Sequence, residues 1–210
     1  MARFKKGILG GFSGKVGNVV GGSWKGIDYM RSLSQRRKGN PTPAQQAQQA
    51  KFKLAVQFLQ PFSGVLSIGF RDQAIAMTGP NSAMRLVMGN AILGDYPDYS
   101  IDYAKVLISR GDLPNTAEAS VSAAGTTLSF TWSDNSDGVR ATPTDQALLV
   151  VYCPELKQVE WRLNTAQRSG AGATLEVPAF AGMEVQVWLS FVRADGRKTA
   201  NSRHLGNVTL

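Results

Sequence analysis

The chain has 210 residues, of which 43% are hydrophobic and 18% charged, a balance typical of a globular protein rather than a disordered one. Its net charge of +8 is unevenly placed, because residues 1–53 carry eleven Lys and Arg against one acid, Asp28. Single cysteine and histidine residues exclude an internal disulfide framework and a cysteine-cluster metal site.

The N-terminal segment is rich in glycine and positive charge. Seven glycines lie between residues 7 and 22, and they interrupt every apolar run there, so neither a signal peptide nor a membrane span is predicted. We expect a protein located in the cytoplasm or in an assembled particle. The alternation of glycine with Val16, Val19 and Trp24 predicts a β-ribbon over about residues 16–33, with an extended arm before it.

A helical segment follows the ribbon. Thr42 as N-cap, Pro43 at the first helical position and Gln45 three residues after the cap predict a helix from Pro43 to about Leu59. A second helix is predicted to begin after Asn81 as N-cap and to end at Leu93, with Gly94 as its C-terminal stop.

From residue 99 onward the pattern has a period of two. Ile101, Tyr103, Val106 and Ile108 begin it, and turn-rich separators divide the later candidates. Seven strands are predicted: 119–123, 126–132, 147–151, 160–168, 173–177, 184–192 and 203–209. This spacing predicts a C-terminal β-sandwich of immunoglobulin or fibronectin type III architecture. The expected fold is therefore α+β and mainly β, with residues 1–98 holding the arm, ribbon and helices, and residues 99–210 the sandwich.

Several stretches together resemble a known family over nearly the whole chain. They are GGFSGKVGNVVGGSWKGIDYMRSL at 10–33, NPTPAQQAQQAKFKLAVQFLQPF at 40–62, IDYAKVLISRGDLP at 101–114, FTWSDNS at 130–136 and ALLVVY at 147–152. The chain resembles an uncharacterised family of domains of unknown function found mainly in Bacteroidota. The resemblance implies the layout above and supplies no activity, cofactor or partner.

Residues suited to catalysis are sparse. His204 and Cys153 are each alone in their residue type, and we interpret them as an ordinary strand histidine and a buried strand-end thiol, with a Cys–His dyad left open. Asp95, Asp98 and Asp102 do not have the spacing of a calcium loop, and Asp134 and Asp137 are typical of turns. Val16 stands where a phosphate-binding loop needs Ser or Thr. We therefore expect no enzyme activity, cofactor or small-molecule substrate.

Two functions remain open, and both use the N-terminal segment. The first is a structural protein that forms homo-oligomers through its arm and ribbon, for which a virion-type particle of a phage or prophage is one setting. The alternative for the ribbon is that it folds back on the helices of its own chain. Its candidate assembly contacts are Phe12, Val19, Trp24 and Tyr29.

The second function is nucleic-acid binding, since Lys and Arg neutralise phosphates and interleaved aromatic rings can stack on bases. The candidate contacts are Lys5, Lys6, Lys15, Lys25, Arg31, Arg36, Arg37 and Lys38. A third interpretation, sugar or receptor binding by the sandwich through Trp132, Trp161 or Trp188, is weaker because these residues fall in predicted strands and are expected in the core.

Overall fold

The fold is α+β with mostly antiparallel strands, in a computed structural model that describes residues 3–4, 10–24, 26–35, 39–73 and 77–210. The chain divides into two compact units, residues 1–42 and residues 43–210. Within the described ranges, no helix is both long enough and apolar enough to cross a membrane.

The first unit is a four-stranded antiparallel sheet whose strands follow one another in chain order. The strands are β1 (Arg3–Phe4), β2 (Phe12–Val16), β3 (Val19–Trp24) and β4 (Ile27–Ser32). The β2–β3 connection has two residues, and Gly17 takes φ +56° at the first of them, a backbone conformation that favours glycine. The predicted ribbon therefore exists, and it is widened by β1 and β2.

The second unit begins with helices and continues with strands. The helices are α1 (Pro43–Leu59), α2 (Ser63–Gly69) and α3 (Gly79–Asn90), with a 3-10 turn at Gln60–Phe62 between the first two. A small hairpin of β5 (Ile92–Leu93) and β6 (Ser100–Ile101) follows. The remaining strands are β7 (Ala119–Ala124), β8 (Thr127–Trp132), β9 (Gln146–Cys153), β10 (Gln158–Gln167), β11 (Gly172–Glu176), β12 (Glu184–Val192) and β13 (Arg203–Thr209).

These strands form two antiparallel sheets, a four-stranded one in the order β10–β9–β12–β13 and a three-stranded one in the order β11–β8–β7. The four-stranded sheet is covered on both faces. One face meets the helices, and the other shares a hydrophobic core with the three-stranded sheet. Alternate residues of β9 and β12 enter the two cores: Leu148, Val150, Tyr152 and Trp188 on the helix side, and Leu149, Val151, Val187 and Leu189 on the sheet side.

The helical segment belongs with the strands that follow it rather than with the ribbon. Phe62 of the turn after α1 packs on Tyr152 and Trp188, with ring centroids 5.2 and 6.1 Å apart. Because each large buried side chain contributes about 1.5–3 kcal/mol, this packing makes residues 43–210 one unit. The boundary in the structure therefore falls at residue 42 and not near residue 98.

Most predicted elements are confirmed, and two differ. α3 begins at Gly79, two residues before the predicted N-cap, because Thr78 is the cap and its hydroxyl accepts a bond from the Asn81 N–H. It ends at Asn90 and not at Leu93, because Ile92 and Leu93 pair with Ser100 and Ile101 as a strand. The predicted strand through Val106 and Ile108 is absent. Instead, the buried Ile108 N–H donates to the Ser202 hydroxyl at 2.9 Å, so a side chain satisfies the backbone in place of a ladder.

Candidate functional site

Two adjacent glycines of the N-terminal sheet have no side chain, and an aromatic ring packs directly on the backbone at each of them. A Cβ on Gly21 would fall 2.6 Å from the Phe12 ring, and one on Gly22 would fall 3.0 Å from the Tyr29 ring. Gly21 and Gly22 are neighbours in β3, so the two rings cover opposite faces of the sheet. The glycines at these two positions therefore leave room for an aromatic ring on each face.

One face of this sheet combines positive charge with apolar side chains. The register places Lys15 beside Val20 and Val20 beside Arg31, so both cations flank the same valine. By the alternation along a strand, Tyr29, Trp24 and Ile27 share this face. All three are exposed, Ile27 to 70%. This surface, defined by Lys15, Arg31, Trp24, Ile27 and Tyr29, is called the basic face.

The opposite face carries several exposed apolar side chains together with the polar side chains of Ser23, Asp28 and Ser32. Val16 and Val19 lie side by side on neighbouring strands. Ser32 of β4 pairs with Val19, and Met30 lies two residues before Ser32, so its side chain is on the same face. Val16, Val19 and Met30 are exposed, with Met30 at 71%. Phe12 lies over Gly21 on this face. This surface, defined by Phe12, Val16, Val19 and Met30, is called the apolar face.

The structure thus separates the predicted contacts into two groups. Phe12 and Val19 lie on the apolar face, whereas Trp24 and Tyr29 lie on the basic face together with Lys15 and Arg31. The remaining predicted cations lie outside the described residues; they are Lys5, Lys6, Lys25, Arg36, Arg37 and Lys38.

Cys153 and His204 do not form a dyad. Cys153 is buried in the core between the two sheets, and its thiol lies 3.5 Å from the sulfur of Met183. The His204 ring contacts Trp188, which faces the helices, with ring centroids 5.0 Å apart. The two residues therefore lie on opposite faces of the β10–β9–β12–β13 sheet of the second unit. Within the described ranges, no three His, Cys, Asp or Glu residues gather closely enough to hold a metal ion.

The environment of His204 favours the neutral form of the ring. The Nε2 atom of His204 lies 2.9 Å from the side-chain oxygen of Gln186. Burial lowers the pKa of His204, and the negative charge of Asp102 opposes that shift to a smaller extent.

The predicted turn aspartates act as expected. Oδ1 of Asp137 accepts bonds from the N–H groups of Val139, Arg140 and Ala141, and these bonds lower the pKa of Asp137. Asp134 accepts from the Ser136 N–H at 3.0 Å. Both carboxylates therefore hold a loop in place.

Sequence reasoning missed a buried ion pair. Arg168 and Asp145 are both fully buried, and Nε of Arg168 donates to Asp145 Oδ2 at 3.1 Å. The guanidinium also stacks on the Phe191 ring at 4.0 Å. An arginine at the end of a predicted strand gives no local sign of burial, because its partners come from distant parts of the chain.

The tryptophans outside the ribbon are largely core residues. Trp132 and Trp188 are buried, and Trp161 is partly buried against the helix-side core. The rings of Trp132 and Trp188 are therefore too deeply buried for a ligand to contact them.

The sequence of the chain is similar to a known protein family. Residues 11–206 match the model of a family of unknown function, DUF6266. The match covers nearly the whole chain, so the protein belongs to this family, as the quoted stretches predict. No curated protein matches the chain in a sequence search.

Proposed function

We propose that this protein is a non-enzymatic structural protein that self-assembles through its N-terminal sheet. The observation that carries the proposal is the exposure of large apolar side chains on both faces of that sheet. Both hydrophobic cores of the described residues lie within residues 43–210, so the N-terminal sheet has no such core of its own. A small sheet without a buried face is marginally stable in water.

A second copy of the chain is the proposed partner of the apolar face. Exposed apolar patches rimmed by polar groups mark protein–protein contacts. Burying Val16, Val19 and Met30 against a neighbour would remove them from water, at about 25 cal/mol for each Å² of apolar surface. The rest of the chain supports a structural role, since Cys153 and His204 are each held in packing contacts.

The proposed architecture of the C-terminal part is a sandwich of the immunoglobulin and fibronectin type III class. Seven strands divided three and four between two antiparallel sheets, with β8 and β9 each next to an edge strand, support this assignment. Such a body linked to a self-associating sheet suits a subunit of a repeating assembly. A virion-type particle of phage or prophage origin is the setting that we propose.

The test replaces apolar side chains of the N-terminal sheet with charge. Met30→Asp places a second carboxylate, beside Asp28, on the apolar face, and Val139→Asp introduces a carboxylate at a loop residue of the second unit that is 78% exposed. Solution mass is measured by size exclusion with light scattering. We expect the unaltered protein and Val139→Asp to form the same oligomer and Met30→Asp to dissociate, because an unpaired buried charge is costly at an interface.

A monomeric unaltered protein at all accessible concentrations would contradict the proposal. If Met30→Asp forms the same oligomer as the unaltered protein, the contact between copies does not lie on the apolar face. Circular dichroism of each variant separates dissociation from loss of fold.

Nucleic-acid binding is the second candidate, and the composition of the basic face favours it. Lys15 and Arg31 flank one valine, and Tyr29 and Trp24 lie on the same side of the sheet. Cations beside exposed aromatic rings suit contact with phosphates and unpaired bases. The two candidates use opposite faces and are compatible.

A further inference from the structure

The strand β10 forms one edge of the four-stranded sheet in the second unit. Residues 158–163 pair in regular antiparallel register with β9 on one side. On the other side of β10, no strand pairs with it within the described part of the chain. Its outward-pointing backbone N–H and C=O groups are therefore open to a further strand, because an edge strand pairs with an extended segment that reaches it.

An open groove of about 500 Å³ lies beside this edge. Its apolar lining comes from Val159, Trp161 and Leu163 of β10 and from Ile68 of α2. The three β10 side chains are spaced two residues apart, so they share the face of the sheet that meets the helices. Each of them is only partly buried there. The apolar side chains of a strand added at this edge would enter the groove and bury these groups further.

The other face of β10 carries two opposite charges. Glu160 and Arg162 lie two residues apart, with Arg162 Nη1 3.3 Å from Glu160 Oε2 and both side chains about half exposed. The same Nη1 donates to the Trp161 carbonyl at 2.9 Å. An exposed ion pair of this kind contributes little to stability, so either charge can exchange its partner for an equivalent one at small cost.

The order of these residues makes the strand complementary to itself. Residues 159–163 read Val-Glu-Trp-Arg-Leu, with one charge of each sign on either side of the tryptophan. In an antiparallel pair of two copies centred on Trp161, Glu160 of each copy lies opposite Arg162 of the other, and Val159 lies opposite Leu163. Directly opposite side chains are about 4.5–5.5 Å apart at Cβ, so two ion pairs form on one face and two apolar contacts on the other.

The neighbouring registers are electrostatically unfavourable. Centring the pair on residue 160 places the two Glu160 side chains opposite each other, and centring it on residue 162 does the same with Arg162. Like charges directly opposite each other destabilise a strand pair. After Leu163 the pairing with β9 becomes irregular, so 159–163 is the regular stretch with this symmetric pattern.

We infer that β10 is a contact site for a second copy of this chain, which pairs with it in antiparallel register about Trp161. The contact uses the same surface of both copies and joins two four-stranded sheets into one sheet of eight strands. It lies within the second unit and does not depend on the proposed role of the N-terminal sheet. Because the paired stretch is short, we expect a weak dimer that forms at high protein concentration.

The experiment exchanges charges across the two-fold axis in full-length protein that carries Met30→Asp, which removes any contribution of the apolar face. Glu160→Arg gives each strand two arginines and Arg162→Glu gives it two glutamates, so each variant alone brings like charges together. The two variants mixed in equal amounts are complementary again. The double variant with both changes keeps one charge of each sign on every strand. Dissociation constants are measured by sedimentation equilibrium over a concentration series.

We expect the Met30→Asp parent to form a dimer. Glu160→Arg and Arg162→Glu should each raise its dissociation constant about tenfold or more, because two attractive pairs become repulsive. The equal mixture and the double variant should dimerise about as tightly as the parent. Arg140→Glu reverses an exposed charge in a loop outside β10, and it should leave the constant unchanged.

A parent that stays monomeric at every concentration would overturn the inference. Single variants that dimerise as tightly as the parent would also overturn it, as would a mixture that stays as weak as its components. Failure of the N-terminal contact has a different signature: the protein with Met30 unaltered then forms the same β10 dimer as the parent and nothing larger.

Discussion

The buried arginine of the second unit offers the sharpest test of how this fold is held together. Arg168 donates from Nε to Asp145, from Nη1 to the Asn135 side chain at 2.6 Å and from Nη2 to the Pro114 carbonyl at 2.9 Å. Its backbone carbonyl accepts from Trp132 Nε1 at 2.8 Å. One side chain thus connects the end of β10 with three loops and the core.

Arg168→Met keeps most of the volume and removes the charge. Asp145 then remains buried, with the Thr142 N–H and hydroxyl as its donors at 2.9 and 2.6 Å, and the acceptors on Asn135 and Pro114 lose their donor. Breaking a buried ion pair by removing one partner costs about 3–5 kcal/mol of unfolding free energy. We expect a loss in this range, because the carboxylate keeps only part of its hydrogen bonding.

The measurement is urea unfolding followed by tryptophan fluorescence, with the slope of free energy against urea checked for constancy. Arg162→Met is the matched control, since Arg162 pairs with Glu160 at 3.3 Å and its side chain is 54% exposed. Its loss should cost less than about 1 kcal/mol.

A double variant tests whether the cost comes from the uncompensated carboxylate. Asp145→Asn keeps the shape of the side chain and removes its charge. Combined with Arg168→Met, it should cost about 0.5–3 kcal/mol less than the sum of the two single changes, as expected for contacting partners. Additive costs, or a loss in Arg168→Met no larger than in Arg162→Met, would refute this account of the pair.

Two further predictions concern pH and the basic face. Because burial lowers the pKa of His204, the unfolded chain binds its proton more readily, so stability should fall as pH drops below about 6.5, where the unfolded ring titrates. Urea midpoints at pH 7.5 and pH 5.5 should differ less in His204→Gln than in the unaltered protein, and equal differences would contradict this assignment. Joint replacement of Lys15 and Arg31 by Gln should weaken binding to single-stranded oligonucleotides of any sequence and reduce its salt dependence, measured by fluorescence anisotropy. Unchanged affinity at low salt would remove the basic face as a nucleic-acid surface.

The sequence alone determined the elements whose signals are local. The cap and proline at residues 42–43 predict a helix that runs from Pro43 to Leu59, and period-two patterns predict the strands that run from Glu184 to Val192 and from Arg203 to Thr209. Such signals depend on neighbours a few residues apart, so they are present before the chain folds.

The apolar runs of β9 and β12 are a sequence signal that indicates more layers than the two sheets of a sandwich. β9 reads QALLVVYC and is buried along nearly its whole length, as is β12. An unbroken apolar run of this kind is typical of a strand covered on both faces. It could have predicted that the helices of residues 43–90 cover the four-stranded sheet, which makes them part of the second unit.

Only the tertiary structure decided which distant residues meet. Arg168 and Asp145 are 23 residues apart in the sequence and form one buried ion pair. Likewise, only the register of three strands separates Lys15 and Arg31 from Val16, Val19 and Met30 onto opposite faces. Local propensity carries no information about these encounters, because they depend on which faces the packing of the whole chain brings together.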